Sequence, residues 1–306
     1  MQNKIPKVIN YCWFGGSPLP DDVKKCINSW KKYCPDYEIR QWNETNFDLN
    51  ICSYVREASK MKKWAFVSDY ARFWILYKYG GLYMDTDVEL IKPIDTIVND
   101  GPFFGRESAN YDSFKNKIEK QLAVQISTLF SRKIVQETTK QKYYPLNPGL
   151  GMAAVPHMQF YKYMLRLYNS QHFLLDDNTI SPITVVDYAT ALAKSYGFNE
   201  VKTDEIQNLN IDSPKIKIYP VDYFCPMNYE TGKVTITSNT VSINHYSASW
   251  LTPAQKKEKE IKVFAKKHNL NYRTERFLTF PVRVIGKVKS LGIKNFGKLV
   301  VKKLKK

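Results

Sequence analysis

The run Gly80-Gly81-Leu82-Tyr83-Met84-Asp85-Thr86-Asp87-Val88 constrains this 306-residue chain more than any other stretch. It follows an apolar segment, Phe73 to Tyr79, and sets a glycine pair, a short apolar run and two carboxylates in direct succession. Residues i and i+2 of a strand face the same way, so a strand starting near Leu82 predicts Asp85 and Asp87 projecting together from its end. Like charges held that close repel unless a positive group lies between them. A divalent cation meets the requirement, and Mg²⁺ or Mn²⁺ held by one or two carboxylates commonly completes its shell with substrate phosphates. Asp-X-Asp is also compatible with a solvated Asx turn. Its place after an apolar segment and a Gly-Gly breaker, where an open α/β sheet presents its ligand-binding edge, favours the cation.

The preceding residues read as a helix over Trp64 to Tyr79, which puts Asp69 and Arg72, three apart, on one face. Gly80-Gly81 stops that helix and lets the chain turn into the strand. Ile5 to Phe14 reads as a buried first strand, broken by Gly15-Gly16, Pro18 and Pro20. A helix from about Asp21 buries Val23, Cys26, Ile27 and Trp30, and Tyr37 to Trp42 alternates as a second strand. Strand, helix, strand is the start of an α/β protein.

Further along, short helices are expected at Tyr54 to Met61, His157 to Tyr168 and Pro182 to Tyr196, and a mostly helical polar stretch from Asp112 to Gln141. Pro102 to Arg106, Ile216 to Tyr219, Val234 to Thr237 and Thr240 to Asn244 read as strands. Asn147-Pro148-Gly149-Leu150-Gly151 is a loop whose glycines are compatible with conformational need alone. His245 stands at a strand end before a polar loop that closes on Trp250, a position from which imidazole completes a metal shell or serves as a structural hydrogen-bonding group.

The charge is unevenly placed. From Lys256 to Lys306, fourteen Lys and three Arg stand against Glu258, Glu260 and Glu275, so this segment holds +14 of the formal +17. A nearly neutral body of residues 1–255 with a basic tail of residues 256–306 argues against a nucleic-acid-binding protein, whose folded domain would interleave basic and aromatic residues. Lys256 to His268 reads as a charged helix. From Pro281 onward apolar residues alternate with eight lysines and no acid, a pattern suited to an anionic membrane surface. Gly286, Gly292 and Gly297 make that tail a poor helix in free solution. The start of the chain lacks the charged and apolar regions of a signal peptide, and no apolar run reaches the roughly 20 residues of a membrane span. Cytoplasmic residence, peripheral at the inner face of the plasma membrane, is the expectation. Five cysteines without a Cys-X-X-Cys pair fit reduced thiols.

Taken with Phe66-Val67-Ser68-Asp69-Tyr70-Ala71-Arg72 and Tyr-Cys-Trp-Phe-Gly-Gly around Trp13, the Asp85 run resembles bacterial sugar transferases of glycosyltransferase family 32, found in capsule and surface-polysaccharide clusters. The resemblance extends to fungal Golgi mannosyltransferases and to the catalytic domains of clostridial glucosylating toxins, and covers Ile5 to Trp250. It implies a GT-A fold, a Rossmann-like α/β nucleotide-sugar-binding domain with a mixed sheet flanked by helices. It further implies a nucleotide-sugar donor, UDP-sugar ahead of GDP-sugar, bound with Mn²⁺ or Mg²⁺, and transfer with retention to an oligosaccharide or lipid-linked saccharide acceptor. By the same resemblance Trp13 stacks on the base, and Asp69 and Arg72 contact ribose, sugar and phosphate. Asp85 holds sugar or ribose and the metal, while Asp87 and His245 are direct metal ligands. Ser249 and Trp250 close over the diphosphate, and Asn147 and Gly149 lie near donor and acceptor, with Pro148 departing from the Asn-Thr-Gly type of loop. Asp85-Thr86-Asp87-Val88 also resembles the first motif of haloacid-dehalogenase-like phosphatases; Asp176-Asp177 does not supply the downstream acidic pair that reading needs.

Overall fold

The computed structural model describes residues 4–110, 113–134, 142–229, 231–247 and 252–291. The chain divides into two compact units, residues 1–227 with 235–245, and residues 228–234 with 246–306.

The first unit opens as the hydrophobic pattern predicts. Strand β1 (Val8–Cys12) leads to helix α1 (Asp21–Tyr33) and strand β2 (Glu38–Trp42). Asp21 and Asp22 in the first turn of α1 and Lys31 and Lys32 in its last complement the helix dipole. Its inner face is Val23, Cys26, Ile27 and Trp30. Helices α2 (Ser53–Lys60) and α3 (Trp64–Tyr79) follow, then β3 (Gly81–Tyr83) and β4 (Val88–Leu90). Gly80 and Gly81 both take left-handed torsions, at φ 66° and 92°. A Cβ at Gly80 would meet Ala154 O at 2.8 Å, and one at Gly81 would meet Val8 O at 2.7 Å. The reversal from α3 into β3 is therefore available only to glycine at this backbone spacing.

Next come α4 (Asp95–Asn99), β5 (Phe103–Phe104), β6 (Ala109–Asn110), α5 (Ser113–Phe130), β7 (Lys142–Tyr143), β8 (Met152–Ala154), α6 (Gln159–Asn169) and α7 (Val185–Lys194). The unit closes with β9 (Gln207–Leu209), β10 (Ile216–Ile218), α8 (Val221–Phe224) and β11 (Ser242–Asn244). Seven strands form one sheet in the order β2-β1-β3-β8-β5-β10-β9. β1 runs parallel to β2 and β3, β8 is antiparallel to both β3 and β5, and β10 is parallel to β5 and antiparallel to β9. The α/β domain with a mixed sheet flanked by helices that the GT-A expectation calls for is present. Phe73, Leu82, Phe103, Phe104, Met152 and Tyr161 are fully or almost fully buried in its core.

Val234 to Thr237 does not form the expected strand. Thr237 N–H donates to Thr240 Oγ1, so a side chain takes the backbone donor a ladder would use, and Thr237 Oγ1 donates to Asp222.

In the second unit, α9 (Pro253–Lys267) begins three residues before the charged run, because Thr252 and Gln255 form a capping box ahead of it. Helix α10 (Tyr272–Leu291) runs through Pro281 and Gly286, while Gly292 and Gly297 fall beyond the described residues. Packing supplies what propensity lacks. Thr279 is fully buried, a Cβ at Gly286 would lie 3.0 Å from Ala254 Cβ, and Arg283 Nε donates to Glu258 Oε1 at 2.9 Å. Residues 292–306 lie outside the described residues.

Candidate active site

Strand direction gathers four loops at one sheet edge. β1 and β3 are parallel, so Trp13 and Asp85 both follow their C-terminal ends. β5 is antiparallel to β8, as is β3, so Gly105 to Glu107 leave the sheet at that edge and Asn147 to Gly151 enter there. The C-terminal edge of parallel strands is where open α/β sheets bind ligands.

At this edge Arg72 is the organising charge. Its side chain is 5% exposed, and one guanidinium nitrogen lies 3.0 Å from Asp69 Oδ1 and 3.2 Å from Asp85 Oδ1. The guanidinium also lies over the Tyr83 ring, 4.9 Å from its centroid, and Tyr83 O–H donates to the same Asp85 oxygen at 3.1 Å. Burial works against the Arg72 charge, but Asp85, Tyr83 and Asp69 outweigh it and hold its pKa raised. Burial pushes the Asp69 carboxyl up to about 7; Arg72 opposes the shift and Asp85 adds to it. Thus the helical spacing that places Asp69 beside Arg72 produces a buried pair, and the Gly80-Gly81 reversal brings Asp85 back to the same cation.

The loop after β7 closes on Asp85 from the other side. Asp85 N–H donates to Gly149 O at 2.9 Å, and Gly149 N–H donates to Asn147 Oδ1 at 2.8 Å. A Cβ at Gly149 would stand 2.1 Å from Asp85 Oδ2, so the missing side chain is what lets this carboxylate oxygen occupy its place. Asn147 Nδ2 in turn donates to Glu107 Oε2 at 2.9 Å. Glu107 and Tyr83 carry no signal that singles them out from sequence, although Tyr83, two residues before Asp85, stands at same-face strand spacing.

The geometry of Asp85-Thr86-Asp87 differs from a strand end. β3 stops at Tyr83, and Val88 N–H donates to Asp85 O at 3.1 Å, so the two carboxylates flank a turn. The turn passes the chain from the seven-stranded sheet to β4, which pairs with β11 in a separate two-stranded sheet. Trp30, fully buried, donates its indole N–H to Val88 O at 2.8 Å and anchors the turn's exit to α1. The β4–β11 ladder delivers His245 next to Asp87, with His245 N–H donating to Asp87 O at 2.9 Å. The imidazole, 41% exposed, points its Nε2 to Glu89 Oε2 at 2.8 Å. Among the described residues no three His, Cys, Asp or Glu side chains already converge as a metal cluster.

Trp13 is fixed at the edge by its N–H to Trp42 O at 2.9 Å and its indole N–H to Ser17 O at 2.7 Å. Ser249 and Trp250 lie outside the described residues. The structure thus brings together Asp69, Arg72, Asp85, Asn147 and Gly149 and links Asp87 to His245 through the backbone.

Residues 20–104 match the family described as glycosyltransferase sugar-binding region containing DXD motif. Two curated proteins of Schizosaccharomyces pombe (strain 972 / ATCC 24843) are similar to part of the chain. Inositol phosphoceramide mannosyltransferase 1 is 32% identical over 111 residues, covering 33% of this chain and 33% of that protein. Inositol phosphoceramide mannosyltransferase 3 is 27% identical over 103 residues, covering 31% and 28%. The chain therefore spans about a third of the length of the curated relatives it matches. Among solved structures, PaToxG glycosyltransferase aligns with 53% of this chain and 59% of its own at a TM-score of 0.31 and 17% identity. Asp69, Arg72, Asp85 and Asp87 all lie within the stretch that matches this family.

Proposed function

We propose that this chain is a metal-dependent retaining glycosyltransferase that moves a sugar from a nucleoside diphosphate sugar to an oligosaccharide or lipid-linked saccharide acceptor in surface-polysaccharide synthesis. The observation that carries the reading is a buried guanidinium shared by Asp69 and Asp85 inside a DXD-type sugar-binding region. Breaking the bond between the anomeric carbon and the nucleoside diphosphate develops negative charge on phosphate oxygens. Arg72, buried and held in place by Asp69 and Asp85, meets that charge by a charge-assisted hydrogen bond. Asp69 and Asp85 orient the guanidinium and offer carboxylate oxygens to sugar hydroxyls.

Two carboxylates and an imidazole suit Mn²⁺ or Mg²⁺. Asp85 Oδ1 is engaged by Arg72 and Tyr83, whereas Oδ2 lies against the space a Cβ at Gly149 would fill, so Oδ2 is the oxygen Asp85 presents. Asp87 would be the second ligand and His245, whose Nε2 meets Glu89 Oε2 here, would be the third. When bound, the cation neutralises charge on the diphosphate oxygens. The departing phosphate takes the acceptor proton on the same face, so no protein nucleophile is assigned. Trp13 stacks on the base, and Ser249 and Trp250 close over the diphosphate. Uridine donors come first; a mannosyl donor is added because the fungal relatives are named as mannosyltransferases. Catalysis belongs to residues 1–255. The basic residues 256–306 hold the enzyme at an anionic membrane surface, peripheral to the cytoplasmic face. No helix of the described residues is long and apolar enough to cross a membrane.

The test is a panel of nucleotide sugars scored for Mn²⁺-dependent hydrolysis and for thermal stabilisation. A donor present at about 100 times its Kd raises stability by about 2.7 kcal/mol. At least one donor should do both, with Mn²⁺ or Mg²⁺ required. If no donor stabilises or is hydrolysed with either cation, the function is refuted.

A further inference from the structure

Helix α10 has one face packed and one face bare. Thr279, Arg283 and Gly286 turn toward α9, as the burial of Thr279, the Arg283–Glu258 bond and the Gly286–Ala254 approach establish. On the other side Phe277 is 79% exposed, Phe280 64% and Ile285 53%. Phe277 and Phe280 are three apart and so form one stripe. Arg273 and Arg276, both exposed, precede Phe277 and Phe280 by four residues each and share their face. Two phenylalanines held in water contribute little to this unit's own stability, and such a patch marks an interaction surface.

The charge around it selects the partner. After Glu275 the chain carries two Arg and eight Lys and no acid as far as Lys306. On α9, Glu258 is paired with Lys262 and Arg283, and Glu260 with Lys257. A second copy of this face would bring Arg273 and Arg276 against like charges. A single-stranded nucleic acid would use flat rings for stacking but has no use for Ile285 and Leu278, which share the exposed side. An anionic bilayer satisfies both features, taking the rings at the acyl boundary and the guanidiniums at the lipid phosphates.

We infer that α10 lies on an anionic membrane with Phe277 and Phe280 as its inserted anchors, so that docking starts ahead of the lysine-rich end rather than within it. This rests on the proposed membrane association and gives it a face. The test uses the full chain with vesicles of phosphatidylcholine, alone or mixed with phosphatidylglycerol. Phe280→Trp should acquire emission that brominated lipid quenches beyond the background of the native tryptophans. Phe277→Ser combined with Phe280→Ser should weaken sedimentation with the mixed vesicles by about tenfold per ring. Helix content by circular dichroism and donor hydrolysis in solution should stay unchanged. If the unaltered chain sediments but the tryptophan is unquenched and the double serine variant binds as tightly, the face is wrong and the membrane association stands on the basic end. If the unaltered chain ignores both vesicle types, both fail. A solution dimer that the serine variant dissolves, or a single-stranded DNA that displaces the vesicles by occupying the rings, overturns the bilayer as occupant.

Discussion

Gly149→Ala isolates the contact on which the candidate site turns. Gly149 does not adopt a left-handed φ, so alanine meets no backbone strain, and the effect is steric. The new Cβ would lie 2.1 Å from Asp85 Oδ2 and 2.9 Å from Asp85 Cγ, where real Cβ contacts begin at 3.0 Å. The carboxylate oxygen must retreat by about 0.9 Å. Retreat draws Oδ1 away from Arg72, at 3.2 Å, and from Tyr83 O–H, at 3.1 Å. A hydrogen bond to a charged group is worth about 1.5–3 kcal/mol, but Arg72 keeps Asp69 and the Asp85 side chain is 35% exposed, so screening lowers the cost to about 1–2 kcal/mol. That corresponds to a Tm lower by roughly 2–6 °C. A misplacement near 1 Å costs turnover much more, on the order of 100-fold. Calorimetry and donor hydrolysis at a temperature where both proteins are folded measure the two effects separately. Turnover within about twofold of the unaltered protein would refute the idea that Gly149 sets the position of Asp85.

Asp87→Asn should leave the fold intact while removing Mn²⁺-dependent hydrolysis; a variant that retains metal-dependent turnover removes Asp87 from the ligand set. Asp69 gives a pH signature. Its folded-state pKa, raised to about 7 by burial, exceeds the ordinary 3.8, so the folded state favours the protonated form. The associated stability is complete below the ordinary pKa and is lost as pH rises through the folded one. Between about pH 4 and pH 7 the Tm of the unaltered protein should therefore fall relative to that of Asp69→Asn. Parallel Tm profiles for the two proteins would show that Asp69 is not protonated on folding.

Much of this site is legible in the sequence alone. Helix α3 begins and ends where its apolar spacing and the glycine pair predict, and the three-residue step from Asp69 to Arg72 does place them together. What spacing along a single element does not carry is the return of the chain. Asp85 comes back to Arg72 across the Gly80-Gly81 reversal, and β3 then takes its place in the sheet by pairing with β1, a strand about seventy residues away. The strand-end geometry expected of Asp85 and Asp87 gave way to a turn because the chain changes sheets there, and alternation of apolar residues does not reveal which sheet the next strand joins. His245 does stand at a strand end, but its imidazole answers to Glu89, whose proximity depends on the β4–β11 register. Glu107 had no motif at all. Its role comes from β5 and β8 being neighbours, which only the long-range topology decides.

The hydrogen bond from Asp85 N–H to Gly149 O joins residues 64 positions apart, whereas Asp69 and Asp85, with Arg72 between them, are 16 apart. Contacts of short sequence separation close early in folding, and long loops close late. Asp69, Arg72 and Asp85 are thus the contacts expected to form first, with the Asn147–Gly149 loop closing on them afterwards. The amide proton of Asp85 times that closure, because it becomes protected from exchange only when Gly149 is in position.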